Sequence, residues 1–160
     1  MRLARSGVIA QGQRRGADAA VLGCTEIPLL VSDAHSPLPV LDSTRILARA
    51  ALREAVRAAG AIPVTIKFRK GVDEDTLTYL EAGRIGQEEG CAAVGLHART
   101  AAQLYDGEAD WNAIGELKRA VTRIPVLGNG DIWECFDALT LMRKTGCAGV
   151  IVGRGCLGRP

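Results

Sequence analysis

Two apolar runs that end in glycines constrain this chain most: Ile124-Pro125-Val126-Leu127-Gly128-Asn129-Gly130-Asp131-Ile132 and Gly149-Val150-Ile151-Val152-Gly153-Arg154-Gly155. Each is short, rich in β-branched residues and opens into glycines. A buried parallel strand has this pattern when it leads into a loop where a ligand comes close to the backbone. Between the runs, residues 133–145 have helical spacing, with Phe136, Leu139, Met142 and Arg143 in the middle and Gly146 as the stop. The unit reads strand, glycine loop, helix, strand, glycine loop. Successive glycine loops at the C-terminal ends of neighbouring parallel strands form the phosphate cradle of βα-barrels. Backbone N–H groups with Arg154 as a fixed cation suit a phosphate dianion. The same glycines also fit plain tight turns, and spacing alone leaves both readings open.

The rest of the chain repeats the alternation. Residues 1–16 are arginine-rich and mildly helical, and residues 19–23 form a buried-strand candidate that ends at Cys24-Thr25-Glu26. Residues 27–40 hold Pro28, Pro37 and Pro39 and read as a loop or short helix. Asp42-Ser43-Thr44 can cap a helix over residues 45–59, with Ile46, Leu47, Ala50 and Ala51 on one face and Gly60 as the stop. A strand over 62–68 follows, then a helix that starts at Asp73 or Glu74 and closes at Gly90. A strand over 92–96 delivers His97 and Arg99, and a helix covers about 110–121. The alternation βαβαβαβαβ predicts an α/β fold with a parallel sheet, curved as in a barrel or open as in a doubly wound fold.

Composition excludes some classes. With 160 residues, 48% apolar and 24% charged, the chain can build a real core. A net charge of +2 is too small to argue for nucleic acid on electrostatics alone. There is no run long enough to span a membrane and no apolar core of a signal peptide near the N-terminus, so a cytoplasmic location is expected. The five cysteines (24, 91, 135, 147, 156) are scattered without CxxC spacing and read as reduced thiols, with no metal site.

Lys67 ends a predicted strand. At the C-terminal mouth of a barrel its stem can pack among apolar residues while the ammonium reaches a ligand; a lysine on a solvated rim fits the same position. His97-Ala98-Arg99-Thr100 ends the next strand and points to the same mouth. An imidazole and a guanidinium suit phosphate or ribityl oxygens, and they also suit a capping pair for the following loop.

Residues 62–160 resemble the second half of the catalytic barrel of tRNA-dihydrouridine synthases. The likeness is carried by Val64-Thr65-Ile66-Lys67-Phe68-Arg69-Lys70-Gly71, by the stretch from Leu96-His97-Ala98-Arg99-Thr100 through Tyr105, by Ala109-Asp110-Trp111, by Gly128-Asn129-Gly130-Asp131-Ile132, and by Val152-Gly153-Arg154-Gly155-Cys156-Leu157-Gly158-Arg159-Pro160. The resemblance implies an oxidoreductase that reduces uridine in tRNA with FMN and NADPH. It implies that Lys67 and His97 contact the flavin, joined at the site by Arg99. It also implies that Asn129, Gly130, Asp131, Gly153 and Arg154 hold the ribityl phosphate end.

Residues 16–56 resemble the C-terminal part of aspartate/glutamate racemases. Gly23-Cys24-Thr25-Glu26 and the segment from Pro39-Val40-Leu41-Asp42-Ser43-Thr44 to Ala50 carry this likeness. It implies that Cys24 is one of two thiol acid–bases, because inversion at a carbon needs a proton removed on one face and returned on the other. Cys24 also fits a small buried residue at a strand end. Residues 1–60 contain eight arginines and no lysine, and all four lysines follow, which agrees with two origins.

The expected architecture is therefore a chimera of parallel βα units. A racemase-like fragment occupies residues 1–60, and an FMN-binding partial TIM barrel, a half-barrel, occupies 61–160. The synthase resemblance places an acid cysteine and an RNA-binding helical domain outside the matched stretches, so an incomplete enzyme is expected, with a non-catalytic α/β scaffold as the alternative. Open sheet edges invite pairing with a second copy, so a homo-oligomer is expected.

Overall fold

The computed structural model describes residues 3–25 and 27–158. The chain forms two compact units, Met1–Ala51 and Leu52–Pro160.

The first unit contains helix α1 (Leu3–Arg14), strands β1 (Ala20–Leu22) and β2 (Val40–Asp42), and the start of α2 (Ser43–Ala59), inside which the unit boundary falls. β1 and β2 pair in parallel, with Ala20 opposite Val40 and Leu22 opposite Asp42. Residues 27–40 hold two short helical turns, Ile27–Leu29 and Asp33–His35, as a loop or short helix is expected to, but the pairing corrects the expectation that β1 joins one continuous series of strands. Pro37 and Pro39 mask the short apolar strand behind them. The Pro39 carbonyl accepts from the Ala20 N–H, so proline's missing donor does not weaken that end. Asp42 caps α2 as expected, accepting from the N–H groups of Thr44 and Arg45. The expected apolar face of α2 is exposed at Ile46 and Leu47.

The second unit positions the site. Its elements are β3 (Thr65–Arg69), α3 (Tyr79–Glu88), β4 (Ala93–His97), α4 (Trp111–Ala120), β5 (Val126–Asn129), α5 (Cys135–Thr145) and β6 (Gly149–Val150). The strands form one sheet in the order β3-β4-β5-β6, and every pairing is parallel. Sequential order with a helix in each crossover fits part of a TIM barrel. Val94 and Leu96 of β4, Ile114 and Leu117 of α4, Val126 of β5 and Leu141 of α5 are completely buried and form the core. Gly83 and Gly128 lack side chains where Leu117 and Leu141 pack, so helices and sheet approach closely.

Helix α3 begins later than the acidic residues suggest. The Asp73 carboxylate accepts from the Asp75 N–H, a local turn that competes with the helix. Gly71 and Leu77 then form an antiparallel bridge, and the Lys70 carbonyl accepts from both Thr78 and Tyr79 N–H groups. Lys70 is buried, and its ammonium donates to Asp110 at 3.0 Å and to Glu74. Burial pushes the Lys70 pKa down, but the two carboxylates outweigh it and hold the group above its ordinary value. The helix over 133–145 starts at Cys135 because Glu134 and Asp137 close a capping box, and it ends at Gly146, whose φ of 70° needs glycine. Among the described residues no helix is long and apolar enough to cross a membrane.

Replacing Leu96 by Ala should destabilise the protein by about 2–5 kcal/mol, because the fully buried site cannot collapse between sheet and helices. Urea unfolding followed by circular dichroism measures this.

Candidate functional site

The strand register builds the site. Arg69 lies opposite His97, and His97 lies opposite Asn129, so three strands end in line. Residues aligned across parallel strands point to the same face, and so does Lys67, two residues before Arg69. Lys67 sits opposite Gly95. A Cβ on Gly95 would stand 2.8 Å from Ile151 Cδ1 and 3.5 Å from Lys67 Cγ, so glycine there makes room for both side chains.

These residues open onto a cavity of about 270 Å³. All eight residues that the sequence suggests for cofactor binding line it: Lys67, His97, Arg99, Asn129, Gly130, Asp131, Gly153 and Arg154. Cys24 does not belong to its lining; it is an exposed thiol just after β1 in the first unit.

Arg99 is the anchor of the cavity wall and is 2% exposed. Its Nη2 lies 2.8 Å from Asp131 and also donates to the Gly107 carbonyl, while Nε donates to the Asp106 carbonyl. Its Nη1 is buried without a hydrogen-bond acceptor among the described residues. Asp131 in turn accepts from the Ala109 N–H. Burial pushes the Asp131 carboxyl up, but Arg99 and the Ala109 N–H outweigh it and hold it below its ordinary value. Asp131 has a φ of 52° and Gly130 a φ of 125°, so the chain turns sharply where β5 ends. The Gly130 carbonyl accepts from the Trp111 indole, and Asn129 Nδ2 donates to the Ile151 carbonyl at 2.7 Å. That bond ties β5 to β6 and leaves the Asn129 side-chain oxygen as an acceptor. A Cβ on Gly155 would overlap the Ile132 carbonyl, so only glycine lets the last loop pack here.

The charges divide into committed and available groups. Arg69 donates to the carbonyls of Thr100 and Leu104, and Arg99 is held as described. Lys67 and Arg154 donate no hydrogen bond and form no ion pair among the described residues. Burial, and then the Arg69 charge, push the Lys67 pKa down. Burial also lowers His97, helped by Arg69, Lys67 and Arg99 against a weaker opposing pull from Asp131, to about 4. The imidazole is therefore neutral at neutral pH, with one donor and one acceptor nitrogen.

Sequence reasoning did not single out Arg69, Tyr105 and Trp133 as members of this cavity. Arg69 was within reach, since it shares a strand face with Lys67. Tyr105 comes from a long loop whose path no periodicity describes, and Trp133, expected at the start of a helix, lies in the short turn before α5.

Residues 42–160 match the family model described as Dihydrouridine synthase (Dus). The chain belongs to the dihydrouridine synthase family. It is 62% identical over 108 residues to a probable tRNA-dihydrouridine synthase of Mycobacterium leprae, covering 66% of this chain and 28% of that protein. It is 44% identical over 114 residues to a probable tRNA-dihydrouridine synthase of Treponema pallidum, covering 69% and 34%. It is 42% identical over 107 residues to tRNA-dihydrouridine synthase B of Pseudomonas syringae pv. tomato, covering 67% and 32%. The chain thus spans about a third or less of the length of these relatives. Among solved structures, a mandelate oxidase variant aligns with a TM-score of 0.51 at 19% identity, over 94% of this chain and 45% of that one, which shows the parallel α/β fold alone. The family match begins at Asp42, within residues 16–56, for which a racemase-like fragment is expected.

The lowered His97 pKa makes a linkage prediction. Above pH 6.5 both folded and unfolded states hold a neutral imidazole. Between 6.5 and about 4 only the unfolded state gains the proton, so stability falls as pH falls through this window. Unfolding free energies measured in urea across this range should decline for the native protein and decline less for His97→Gln.

Proposed function

We propose that the second unit is the flavin-holding part of a tRNA-dihydrouridine synthase, an oxidoreductase that reduces uridine in tRNA. The observation that carries this reading is the pairing of available cations with an open backbone. Lys67 and Arg154 donate no hydrogen bond among the described residues, Arg99 Nη1 is buried without an acceptor, and no described residue beyond its chain neighbours lies within 4 Å of where a Gly153 Cβ would stand. That donor set fits FMN, which brings a phosphate dianion, ribityl hydroxyls and a ring with carbonyl oxygens.

In this reading Arg154 and the Gly153 backbone take the phosphate. Gly130 offers its backbone to the ribityl chain, and Asn129 offers its oxygen. Asp131 enters through its backbone N–H, because its carboxylate is committed to Arg99 and Ala109 and would repel a phosphate. Arg99 would offer the two N–H groups of its unpaired Nη1. Lys67 and neutral His97 face the ring, where an ammonium favours electron density that accumulates on the flavin. Bound FMN, reduced by NADPH, supplies the hydride for the uracil ring. His97 is buried, which limits water on its side of that ring. None of the described residues lining the cavity is a cysteine, so the proton that the resemblance assigns to a cysteine comes from outside this lining. For residues 16–56, the resemblance proposes a separate acid–base role for Cys24 toward a small acidic amino acid. Exchange of the α-proton of aspartate or glutamate in deuterium oxide that is lost in Cys24→Ser tests it, and no exchange ends that reading.

Titration of FMN with the purified protein should quench flavin fluorescence with micromolar affinity. Arg154→Ala and Lys67→Ala should each weaken binding by about tenfold or more, as expected for charge-assisted bonds of ~1.5–3 kcal/mol. A chain that is folded by circular dichroism but quenches no FMN would overturn the proposal.

A further inference from the structure

The mouth of the cavity is crossed by an alternating stack of cations and rings. The Arg69 guanidinium carbon lies 5.6 Å from the centre of the Tyr105 ring. On Tyr105 also rests Arg154, at 4.3 Å, and Arg154 lies 5.1 Å from the Trp133 ring. The four residues come from the end of β3, the loop after β4, the loop after β5 and the turn after β6, so the stack joins the C-terminal ends of all four strands. Tyr105 and Trp133 are 57% and 48% exposed, which burial of apolar surface does not explain.

Two details show that the rings are held in place. Leu104, directly before Tyr105, has a φ of 50°, a left-handed conformation that costs a branched residue ~1–2 kcal/mol. Its carbonyl accepts from Arg69 at 2.8 Å, and the neighbouring Thr100 carbonyl accepts from the same nitrogen at 2.8 Å. Two residues before Trp133, Asp131 has a φ of 52° and is pinned by Arg99. The Trp133 N–H donates to Asp137 at 2.9 Å. Backbone strain on both sides is offset by bonds that aim the rings at Arg154.

We infer that Tyr105 and Trp133 are positioning residues that hold the Arg154 guanidinium through cation–ring contacts and so confer selectivity for a phosphorylated ligand. This inference rests on the flavin reading above. The Arg154 side chain donates no hydrogen bond among the described residues, so these ring contacts leave its five N–H groups for a ligand. The clamp removes rotamer freedom before the ligand arrives, and an exposed arginine would otherwise lose that freedom on binding. The edge of Arg154 is thus presented to an oxyanion already oriented. A ligand without a phosphate gains nothing from it.

The test compares FMN with riboflavin, which shares the ring and ribityl chain but lacks the phosphate. Affinities are read by flavin fluorescence for the native protein, Tyr105→Leu, Tyr105→Phe, Trp133→Leu and Arg154→Ala. The native protein should prefer FMN, and Arg154→Ala should abolish the preference. Tyr105→Leu and Trp133→Leu should each weaken FMN by about three- to tenfold, the range of one cation–π contact, and leave riboflavin within about twofold. Tyr105→Phe, which keeps the ring, should retain the native preference. An FMN affinity that both leucine variants leave unchanged overturns the clamp and leaves the flavin reading standing. Equal losses for FMN and riboflavin also overturn it, because the rings would then touch the flavin itself. Binding of neither flavin by the native protein overturns both.

Discussion

The buried pair of Arg99 and Asp131 is the constraint on which the rest of this end of the sheet depends. Arg99 follows β4 and Asp131 follows β5, so the pair ties together the exits of two neighbouring strands. The same guanidinium holds the Asp106 and Gly107 carbonyls, and the same carboxylate holds the Ala109 N–H. A long loop that would otherwise be free thereby gains several fixed points. A buried ion pair of this kind adds little net stability, because desolvation cancels much of the attraction, yet loss of one partner is costly. Its contribution here is geometric. It sets where Ala109, Asp110 and Trp111 begin α4, and it holds Asp131 in a left-handed conformation that turns the chain across the cavity.

The second clamp lies on the outer side of the same loop. Buried Lys70 reaches Asp110, the cap of α4, and Glu74 in the turn before α3. Tyr79 adds a bond to Glu116. Two long loops are thus fastened to each other by charges that never reach the cavity. The division of labour among cations follows. Arg69 and Lys70 are spent on the protein, Arg99 keeps only its Nη1 without an acceptor, and Lys67 and Arg154 carry no hydrogen bond among the described residues. Charge count alone could not separate these roles, because all five belong to two short stretches of sequence and one glycine loop.

What the residues determined by themselves is considerable in the second unit. Alternating apolar runs, glycine stops and helix caps are local signals, and they placed the parallel strands, helices α4 and α5 and the glycine loops close to where the structure has them. The strand ends at Lys67, His97 and Asn129 were legible for the same reason: period 2 puts side chains on a defined face, and a parallel sheet aligns strand exits. Local signals failed where a side chain competes with the helix, as Asp73 does before α3, and where prolines hide a strand as short as β2. Tertiary structure alone decided three things. It decided that β1 pairs with β2 in a separate sheet, because strand pairing is set between segments and not within them. It decided which cations are spent and which remain, because this depends on carbonyls that only a folded loop brings near. And it decided that Tyr105 and Trp133 meet over Arg154, because their loops are aimed by bonds to Arg69 and Arg99 that no spacing in the chain encodes.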